Sequence, residues 1–383
     1  MKKSIALLLI LMMTLSLAAC GSPAPAEEPA SEEPAGEAPV TEAPAEDGTF
    51  ELALITDIGT IDDKSFNQGS WEGMRDYAVD NGISHKYYQP SEKSTDAYLS
   101  AIELAVRGGA KVIVTPGFLF EEPIFIAQDE YPDTHFILID GVPHSADYSE
   151  FRTENNVVGV LYAEDQAGFL AGYAAVMDGN RNLGFMGGMA VPAVVRFGYG
   201  FVQGAEYAAE ELGLEPGSIS LNYHYTGGFD ATPEVQTLAA SWFQSGVEVI
   251  FAAGGAVGNS VMAAAEQADA KVIGVDIDQS GESETVISSA MKGLGASVYS
   301  VLEAYYAGSF PGGETIVMDA SNDGVALPME TSRFDSFSQT DYDDIFGKLV
   351  NDTDGIASSM IVDTDVESAS QIPTSAVSVT LVN

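Results

Sequence analysis

Basic residues, cysteine and histidine are all scarce in this sequence. Of its 383 residues only 15 are Lys or Arg, against 57 Asp or Glu, which gives a formal net charge of −42. A chain this negative repels nucleic-acid phosphate, and no Lys/Arg cluster offers a local exception, so DNA and RNA binding are excluded. One cysteine and four histidines exclude disulfide frameworks and cysteine-rich metal sites. We predict no metal and no cofactor.

Long apolar runs are also rare, and the one that matters lies at the N-terminus. Residues 5–19 form an apolar stretch behind two lysines, shorter than a membrane span of about 20 residues. The stretch ends in Leu-Ala-Ala before Cys20, the only cysteine, which resembles the lipobox of bacterial lipoproteins. We predict a signal peptide over 1–19, a lipid on Cys20 and anchoring at the extracytoplasmic face of the cell membrane. The alternative is an ordinary signal peptide in which Cys20 is incidental.

Residues 20–48 differ sharply in composition from the rest of the chain. Pro, Ala and Glu dominate, Lys and Arg are absent, and Val40 is the only large apolar residue. Such a segment cannot bury enough apolar surface to offset its conformational entropy. We therefore predict a disordered, self-repelling acidic tether between the lipidated cysteine and a folded part.

From residue 50 onward, short apolar strands alternate with helical stretches. Strands are predicted over 51–56, 111–115, 135–139, 182–186, 247–251 and 271–275. This alternation predicts parallel sheets covered by helices on both faces. Because the series occurs twice, we predict an α/β protein of two doubly wound lobes with a ligand cleft between them. Lobe 1 is predicted over 49–162 plus 280–310, and lobe 2 over 163–279 plus 311–383.

Polar and aromatic residues follow several of these strands, where a cleft between two lobes would form. Carboxylates there can accept hydrogen bonds from hydroxyl or ring N–H groups, and a phenyl ring can stack on a flat heterocycle. Each residue has an ordinary alternative: helix N-cap for Asp, core packing for Phe, a tight turn for a Gly pair. The strand-end candidates are Asp57, Phe66, Asn67, Asp140, Phe229, Gly254, Gly255 and Asp276.

Residues 61–68 read IDDKSFNQ and are followed by Glu72-Gly73. They resemble the D-x-S-F-N-Q…EG signature of the basic membrane protein family, which comprises bacterial substrate-binding lipoproteins for purine nucleosides. Further similar motifs are FD at 229–230, IGVD at 273–276 and SAMK at 289–292, and the resemblance extends from residue 51 to about 349. It implies two lobes like those of type I periplasmic binding proteins, and an ABC transporter permease as partner.

The same resemblance implies how a nucleoside base would be held. The base would lie between Phe66 and Phe229, one aromatic ring from each half of the repeat. Asn67 and Asp140 would face the edge of the base. These roles follow from matching the family's motifs to the positions of this sequence.

For the ribose, the resemblance implies contacts from Asp276, Lys292 and the backbone of Gly254 and Gly255, with Asp57 nearby. Lys292 ends a strand-like run that leads into a helix. A solvated surface lysine is the alternative for this residue.

Enzymatic function is disfavoured by the absence of an assembled catalytic motif. The four histidines are isolated, and no G-x-S-x-G elbow, P-loop or H-E-x-x-H sequence occurs. The acidic residues are scattered around the predicted cleft rather than clustered at one strand end. We predict that the protein is not an enzyme. We predict instead a substrate-binding lipoprotein that captures a nucleoside, most readily a purine nucleoside, for an ABC importer. The alternatives are a nucleoside-processing hydrolase and a surface sensor or adhesin on the same fold.

Overall fold

The computed structural model describes residues 49–382. The predicted signal peptide, the lipidation residue Cys20 and the predicted tether lie outside the described residues. Within residues 49–382, no helix is both long enough and apolar enough to cross a bilayer.

Strands and helices alternate along most of the described chain. Its strands are β1 (Leu52–Ile55), β2 (His85–Tyr88), β3 (Val112–Pro116), β4 (His135–Ile139), β5 (Val157–Tyr162), β6 (Asn182–Gly187), β7 (Ile219–Tyr225), β8 (Val249–Ala253), β9 (Lys271–Asp276), β10 (Val286–Lys292), β11 (Thr315–Met318), β12 (Val325–Ala326) and β13 (Val377–Leu381). Its α-helices are α1 (Phe66–Asn81), α2 (Thr95–Arg107), α3 (Glu121–Glu130), α4 (Glu164–Met177), α5 (Pro192–Glu211), α6 (Pro233–Gln244), α7 (Val257–Ala268), α8 (Leu294–Tyr306) and α9 (Gln339–Val350).

The first lobe is built on a parallel sheet with the strand order β11-β5-β4-β3-β1-β2. Alternate residues of β1 face opposite helical layers, as the period of two in a strand requires. Leu52 and Leu54 pack with α1 and α8, whereas Ala53 and Ile55 pack with α2 and α3. Both faces of the sheet are therefore covered, which explains why β1 is apolar throughout.

The second lobe repeats this plan with the strand order β12-β10-β9-β8-β6-β7-β13. Its pairings are parallel except that between β10 and β12. Phe185 and Phe251 pack with α4 and α5 on one face, and Met186 and Ile250 pack with α6 and α7 on the other. Strands β5, β4, β3, β1 and β2 correspond in position to β10, β9, β8, β6 and β7. The predicted architecture of two doubly wound lobes is confirmed.

Two segments lie in a different lobe from the one predicted. Strand β10, inside the range 280–310 assigned to lobe 1, pairs with β9 of the second sheet. Strand β11, inside the range 311–383 assigned to lobe 2, pairs with β5 of the first sheet. The chain therefore passes between lobes near residues 163, 293 and 319. The apolar pattern predicts a strand but does not say which sheet supplies its partner, and this explains the difference.

Helix ends follow local signals in the sequence. Ser94 and Thr232 accept hydrogen bonds from the N–H groups of Ala97 and Val235, and so begin α2 and α6. Helix α1 ends at Gly82, whose φ of 64° places it in the left-handed region that glycine adopts without strain. The caps at Ser94 and Thr232 end the loops that follow β2 and β7, on the side of the sheets where the cleft residues lie.

Helices α4 and α5 approach each other unusually closely in the second lobe. A Cβ atom added at Gly168 of α4 would lie 2.1 Å from the carbonyl oxygen of Phe197, and one at Gly204 of α5 would lie 1.9 Å from that of Phe169. Glycine is therefore required at both positions. This close packing brings the N-terminal ends of α4 and α5 together beside the cleft.

Candidate functional site

A cavity of about 500 Å³ lies between the two lobes at the carboxyl ends of their strands. This is the position at which open α/β sheets bind ligands, and the volume is that of a small-molecule site. All nine candidate binding residues from the sequence line this one cavity: Asp57, Phe66, Asn67, Asp140, Phe229, Gly254, Gly255, Asp276 and Lys292.

Lys292, the last residue of β10, is the centre of a buried charge cluster. Its ammonium is hydrogen-bonded to Asp140 Oδ2 and lies 2.9 Å from Glu164 Oε1. It also lies 5.1 Å from the ring centroid of Phe66 and 5.4 Å from that of Phe197. Its residue exposure is only 4%, so the alternative of a solvated surface lysine is wrong.

The carboxylates around Lys292 keep its ammonium charged. Burial alone lowers the pKa of a lysine, but the neighbouring Asp140, Glu164 and Asp276 outweigh burial and raise the pKa of Lys292. The cavity therefore contains a fixed positive charge surrounded by acceptors.

Asp140 directly follows β4 and reaches Lys292 across the cleft. Burial raises the pKa of Asp140 to about 7, and the nearby Lys292 ammonium opposes that shift. Its second oxygen, Oδ1, is buried and has no hydrogen-bond partner within the described part of the chain. A buried oxygen without a partner is costly, so this atom is suited to a hydrogen bond with a bound molecule.

Asp276 ends β9, the strand of the second sheet that corresponds to β4. Its Oδ2 accepts a 2.5 Å hydrogen bond from Ser65 Oγ at the start of α1. Burial raises the pKa of Asp276, while Lys292 and the Ser65 hydroxyl lower it. Asp140 and Asp276 both have positive φ, 55° and 68°, in the left-handed region that aspartate adopts more readily than most residues.

Asn67 uses its side-chain amide within the protein. Its Nδ2 donates to Asp57 Oδ1 and to Asp63 Oδ2, both at 3.0 Å, and its Oδ1 accepts the N–H of Asp57 at 3.3 Å. Burial raises the pKa of Asp57, and the hydrogen bond from Asn67 opposes that shift. Asn67 thus lines the cavity and also holds Asp57 in place.

The two aromatic candidates come from opposite lobes. Phe66 is the first residue of α1, and Phe229 lies in the loop after β7. Each is partly buried and also packs against the hydrophobic core of its own lobe. Phe229 rests on Gly188, where an added Cβ would lie 2.5 Å from the Phe229 ring. The rings therefore combine the two roles, core and cavity wall, that the sequence left as alternatives.

Gly254 and Gly255 join β8 to α7 at the cavity. A Cβ at Gly254 would lie 2.7 Å from the backbone nitrogen of Gly188, and Gly255 has a φ of +57°. Both glycines are required by this turn, and both bring backbone to the cavity wall.

Several residues of the site were missed at the sequence level. Glu164 is 1% exposed and lies 3.5 Å from Arg196 Nη1, in an ion pair that holds the start of α4 against α5. Arg196 also donates to Asp363 at 2.7 Å. The signal in the sequence was that two acidic residues, Glu164 and Asp165, begin a helix that is otherwise apolar.

An aromatic rim at the cavity was also missed. Tyr148 and Phe151 line the cavity although they are 66% and 59% exposed. Tyr148 stacks on His144 at a centroid distance of 4.0 Å, and His144 Nε2 lies 3.2 Å from Glu121 Oε2.

Within residues 49–382, no group of three or more His, Cys, Asp or Glu side chains is arranged to hold a metal ion.

Two parallel-sheet lobes with a cavity between them at the strand ends define a type I periplasmic-binding-protein fold. Among solved structures, an ABC transporter solute-binding protein of Aeropyrum pernix K1 is similar, with a TM-score of 0.65, 24% sequence identity, and coverage of 82% of this chain and 83% of that chain.

Residues 50–354 match the family of "ABC transporter substrate-binding protein PnrA-like" proteins, named Bmp, and the chain belongs to that family. The ABC transporter nucleoside-binding protein BmpA of Lactococcus lactis subsp. cremoris (strain MG1363) is 28% identical over 323 residues, 78% of this chain and 87% of the relative. Basic membrane protein D of Borreliella burgdorferi (strain JD1) is 29% identical over 303 residues, 77% of this chain and 84% of the relative. The family predicted from residues 61–68 is confirmed. The description of the family is that of ABC transporter substrate-binding proteins.

Proposed function

We propose that this protein captures a nucleoside, most readily a purine nucleoside, and delivers it to an ABC importer. The observation that carries the proposal is one cavity containing an aromatic ring from each lobe, strand-end carboxylates and a buried ammonium. A nucleoside offers the complementary groups, because its base is flat and its ribose carries hydroxyls. The nucleoside-binding description of the Lactococcus relative supports this ligand class.

In this proposal the base stacks between Phe66 and Phe229, an interaction worth about 1–3 kcal/mol per base. The free Oδ1 of Asp140 and the side chain of Asn67 face the edge of the base. With a pKa of about 7, Asp140 can either accept from a ring N–H or donate to a ring nitrogen.

The ribose hydroxyls are proposed to bind Asp276, Lys292 and the backbone at Gly254 and Gly255. Hydrogen bonds from hydroxyls to charged groups are stronger than neutral ones, about 1.5–3 kcal/mol each. The sugar is thus recognised by charge-assisted bonds and the base mainly by its flat face.

The charge of the cavity favours a nucleoside over a nucleotide. Eight acidic residues line it, against Lys292 and Arg196 as the basic ones. Both of these cations are already paired with carboxylates. A phosphate group would therefore meet net negative charge and no unpaired donor cation among the lining residues.

The proposed location is the extracytoplasmic face of the cell membrane, with Cys20 lipidated and an ABC transporter permease as partner. The family's transport role supports that location, and the residues before Cys20 support the anchor. Replacing Cys20 with alanine should move the protein from the detergent phase to the aqueous phase on phase partitioning. A Cys20→Ala protein that still partitions with detergent would contradict the anchor.

The ligand is tested by calorimetry of the purified protein with adenosine, guanosine, inosine, uridine, free ribose and guanosine monophosphate. We expect the purine nucleosides to bind most tightly and the monophosphate weakly or not at all. Chromatography of the same mixtures after incubation separates capture from hydrolysis, because a hydrolase releases free base. Absence of binding to every nucleoside would overturn the proposal and leave a sensor or adhesin on this fold.

A further inference from the structure

A second group of contacts joins the lobes beside the cavity, where the start of α1 meets the segment after β9. Ser65 Oγ donates to Asp276 Oδ2 at 2.5 Å, and Gln279 Nε2 donates to the backbone carbonyl of Lys64 at 2.6 Å. The Lys64 ammonium lies 3.5 Å from Glu282 Oε1. Ser65, Asp276 and Gln279 are all buried. These contacts link the two lobes directly.

The Ser65 side chain does not cap its own helix. It occupies the N-cap position of α1, where a serine ordinarily accepts a hydrogen bond from the first turn, but its side chain makes no such bond. Asp63 takes that role: its carboxylate accepts the N–H groups of Ser65, Asn67 and Gln68 at 2.9, 3.0 and 3.1 Å. The Ser65 hydroxyl is therefore left to donate to Asp276 across the lobes.

Gln279 is held by the second lobe so that its amide N–H reaches the first. Its Oε1 accepts the N–H of Val275 at 3.1 Å, and its backbone N–H donates to Ser289 Oγ at 3.0 Å. Gly274 leaves the necessary space, since a Cβ there would lie 2.4 Å from Gln279 Oε1. With both of these anchors in lobe 2, Nε2 points at the Lys64 carbonyl.

Two residues at this contact have a left-handed backbone. Lys64 has a φ of 60° and Asp276 a φ of 68°, values that are uncommon for lysine but that aspartate adopts more readily than most residues. One of these residues lies on each side of the interlobe contact.

We propose that Ser65 is a positioning residue for the ligand: it fixes Asp276 Oδ2 across the lobes and leaves Oδ1 to the bound molecule, while Gln279 secures the same contact. Ser65 supplies the one hydrogen bond that the Asp276 carboxylate receives from residues 49–382. The proposal rests on the proposed function, in which the group bound by Asp276 is a sugar hydroxyl. Sugar recognition and lobe closure then both depend on the Asp276 carboxylate.

The binding test compares Ser65→Ala, Asp276→Asn and the double variant by calorimetry with inosine and with hypoxanthine, its free base. Ser70→Ala is the matched control, because Ser70 is equally buried in α1 and its hydroxyl binds the helix carbonyl of Phe66. We expect Ser65→Ala to weaken inosine about tenfold and hypoxanthine little. The double variant should be no weaker than Asp276→Asn, because Ser65 acts through Asp276. Additive losses, or equal losses for the free base, would overturn the proposal.

A ligand-free measurement tests the interlobe contact separately. Spin labels at Lys93→Cys and Glu234→Cys, in a Cys20→Ser background, report the width of the cleft, because both positions are exposed and follow the corresponding strands β2 and β7. We expect Ser65→Ala/Gln279→Ala to shift the distance distribution to longer values, and Ser70→Ala to leave it unchanged. An unchanged distance distribution in Ser65→Ala/Gln279→Ala would overturn the role of this contact in lobe closure. If the parent protein binds no nucleoside, the proposed function fails, and this distance measurement alone decides the contact.

Discussion

Each lobe has an aspartate at the same point of its sheet, but the two carboxylates accept hydrogen bonds from different donors. Asp140 follows β4 and Asp276 ends β9, two strands with corresponding positions, and both residues have a left-handed backbone. Asp140 accepts a hydrogen bond from the Lys292 ammonium, whereas Asp276 accepts one from the Ser65 hydroxyl. In each case the donor belongs to the opposite lobe. The repeated fold thus places a carboxylate at the cleft twice. The opposite lobe determines whether that carboxylate is paired with a charged or a neutral donor.

The donors differ in what they cost to remove. Lys292 is a full charge beside three carboxylates, and it lies next to residue 293, where the chain passes between lobes. Ser65 is a neutral group, and when it is lost the Asp276 carboxylate still lies near the Lys292 ammonium, which lowers the pKa of Asp276. We therefore expect the Asp140 side of the site to govern the stability of the fold and the Asp276 side to govern ligand affinity.

The largest effect should come from Lys292→Ala. Removing one partner of a buried ion pair costs about 3–5 kcal/mol, because the remaining charges are left uncompensated. Urea unfolding at pH 8 measures the loss, and Lys348→Ala is the control. Lys348 forms an exposed ion pair with Glu211 at 3.3 Å, for which about 0–1 kcal/mol is expected. Equal losses in the two variants would remove the distinction between the two aspartate sites.

Much of this site was predictable because parallel strands deliver their carboxyl ends to one edge. A polar or aromatic residue after an apolar run is visible in the sequence, and Asp140 and Phe229 were found in that way. The family signature added Lys292, which periodicity alone places only at the end of a strand. All of them line one cavity.

What could not be predicted depends on contacts between distant parts of the chain. Ser65 and Asp276 are separated by 211 residues, and a hydroxyl at a helix start looks like an ordinary cap. Glu164 at the start of α4 likewise looks like an acidic first turn that favours the helix dipole, although it is buried against Lys292 and Arg196. The lobe that holds β10 was also undetermined, because strand pairing leaves no local pattern.

The next effect concerns pH and belongs to Asp140. Its pKa rises from the ordinary 3.8 to about 7 in the folded protein. Between pH 4 and 7 the unfolded chain releases this proton while the folded protein retains it, so stability falls as pH rises. The free energy of unfolding should fall by up to about 1.4 kcal/mol for each step of one in pH across this window. Asp140→Asn should make this slope shallower in urea unfolding from pH 4 to 8, and the raised pKa of Asp165, about 6, should leave part of the slope in place.

Asp147→Asn is the control for that curve. Hydrogen bonds from Ser149 and Ser145 lower the pKa of the exposed Asp147 to about 2, so it titrates below the window. A slope between pH 4 and 7 that is the same in Asp140→Asn and the parent protein would mean that Asp140 is ionised like an exposed aspartate.

A smaller effect, on binding, should distinguish Asp276 from Asp140. Asp276→Asn removes the charged acceptor of a sugar hydroxyl and should weaken nucleosides by about 1.5–3 kcal/mol, or about tenfold to 150-fold. Free base should lose little affinity. Asp140→Asn should instead weaken nucleoside and free base together, because Asp140 faces the base in the proposed function. Calorimetry with guanosine and guanine measures both ratios, and the same ratio in the two variants would contradict the division of roles.

The aromatic rings should show the smallest difference between the lobes. They follow strands β1 and β7, which do not correspond in the two sheets, so their surroundings need not be alike. Phe66→Ala and Phe229→Ala should each weaken nucleoside binding by about 1–3 kcal/mol through lost stacking, and leave any weak binding of free ribose unchanged.

The two rings should also differ in their effect on stability. Phe66 lies 5.1 Å from the Lys292 ammonium, and such a cation–π contact contributes about 0.5–1 kcal/mol at exposed sites and more at desolvated ones. Phe66→Ala should therefore also lower the unfolding free energy by about that amount more than Phe229→Ala does. Glu234→Ala, an exposed residue of α6 that does not line the cavity, is the control for both measurements. Loss of ribose binding in parallel with nucleoside binding would mean that the rings support the cavity wall rather than stack on the base.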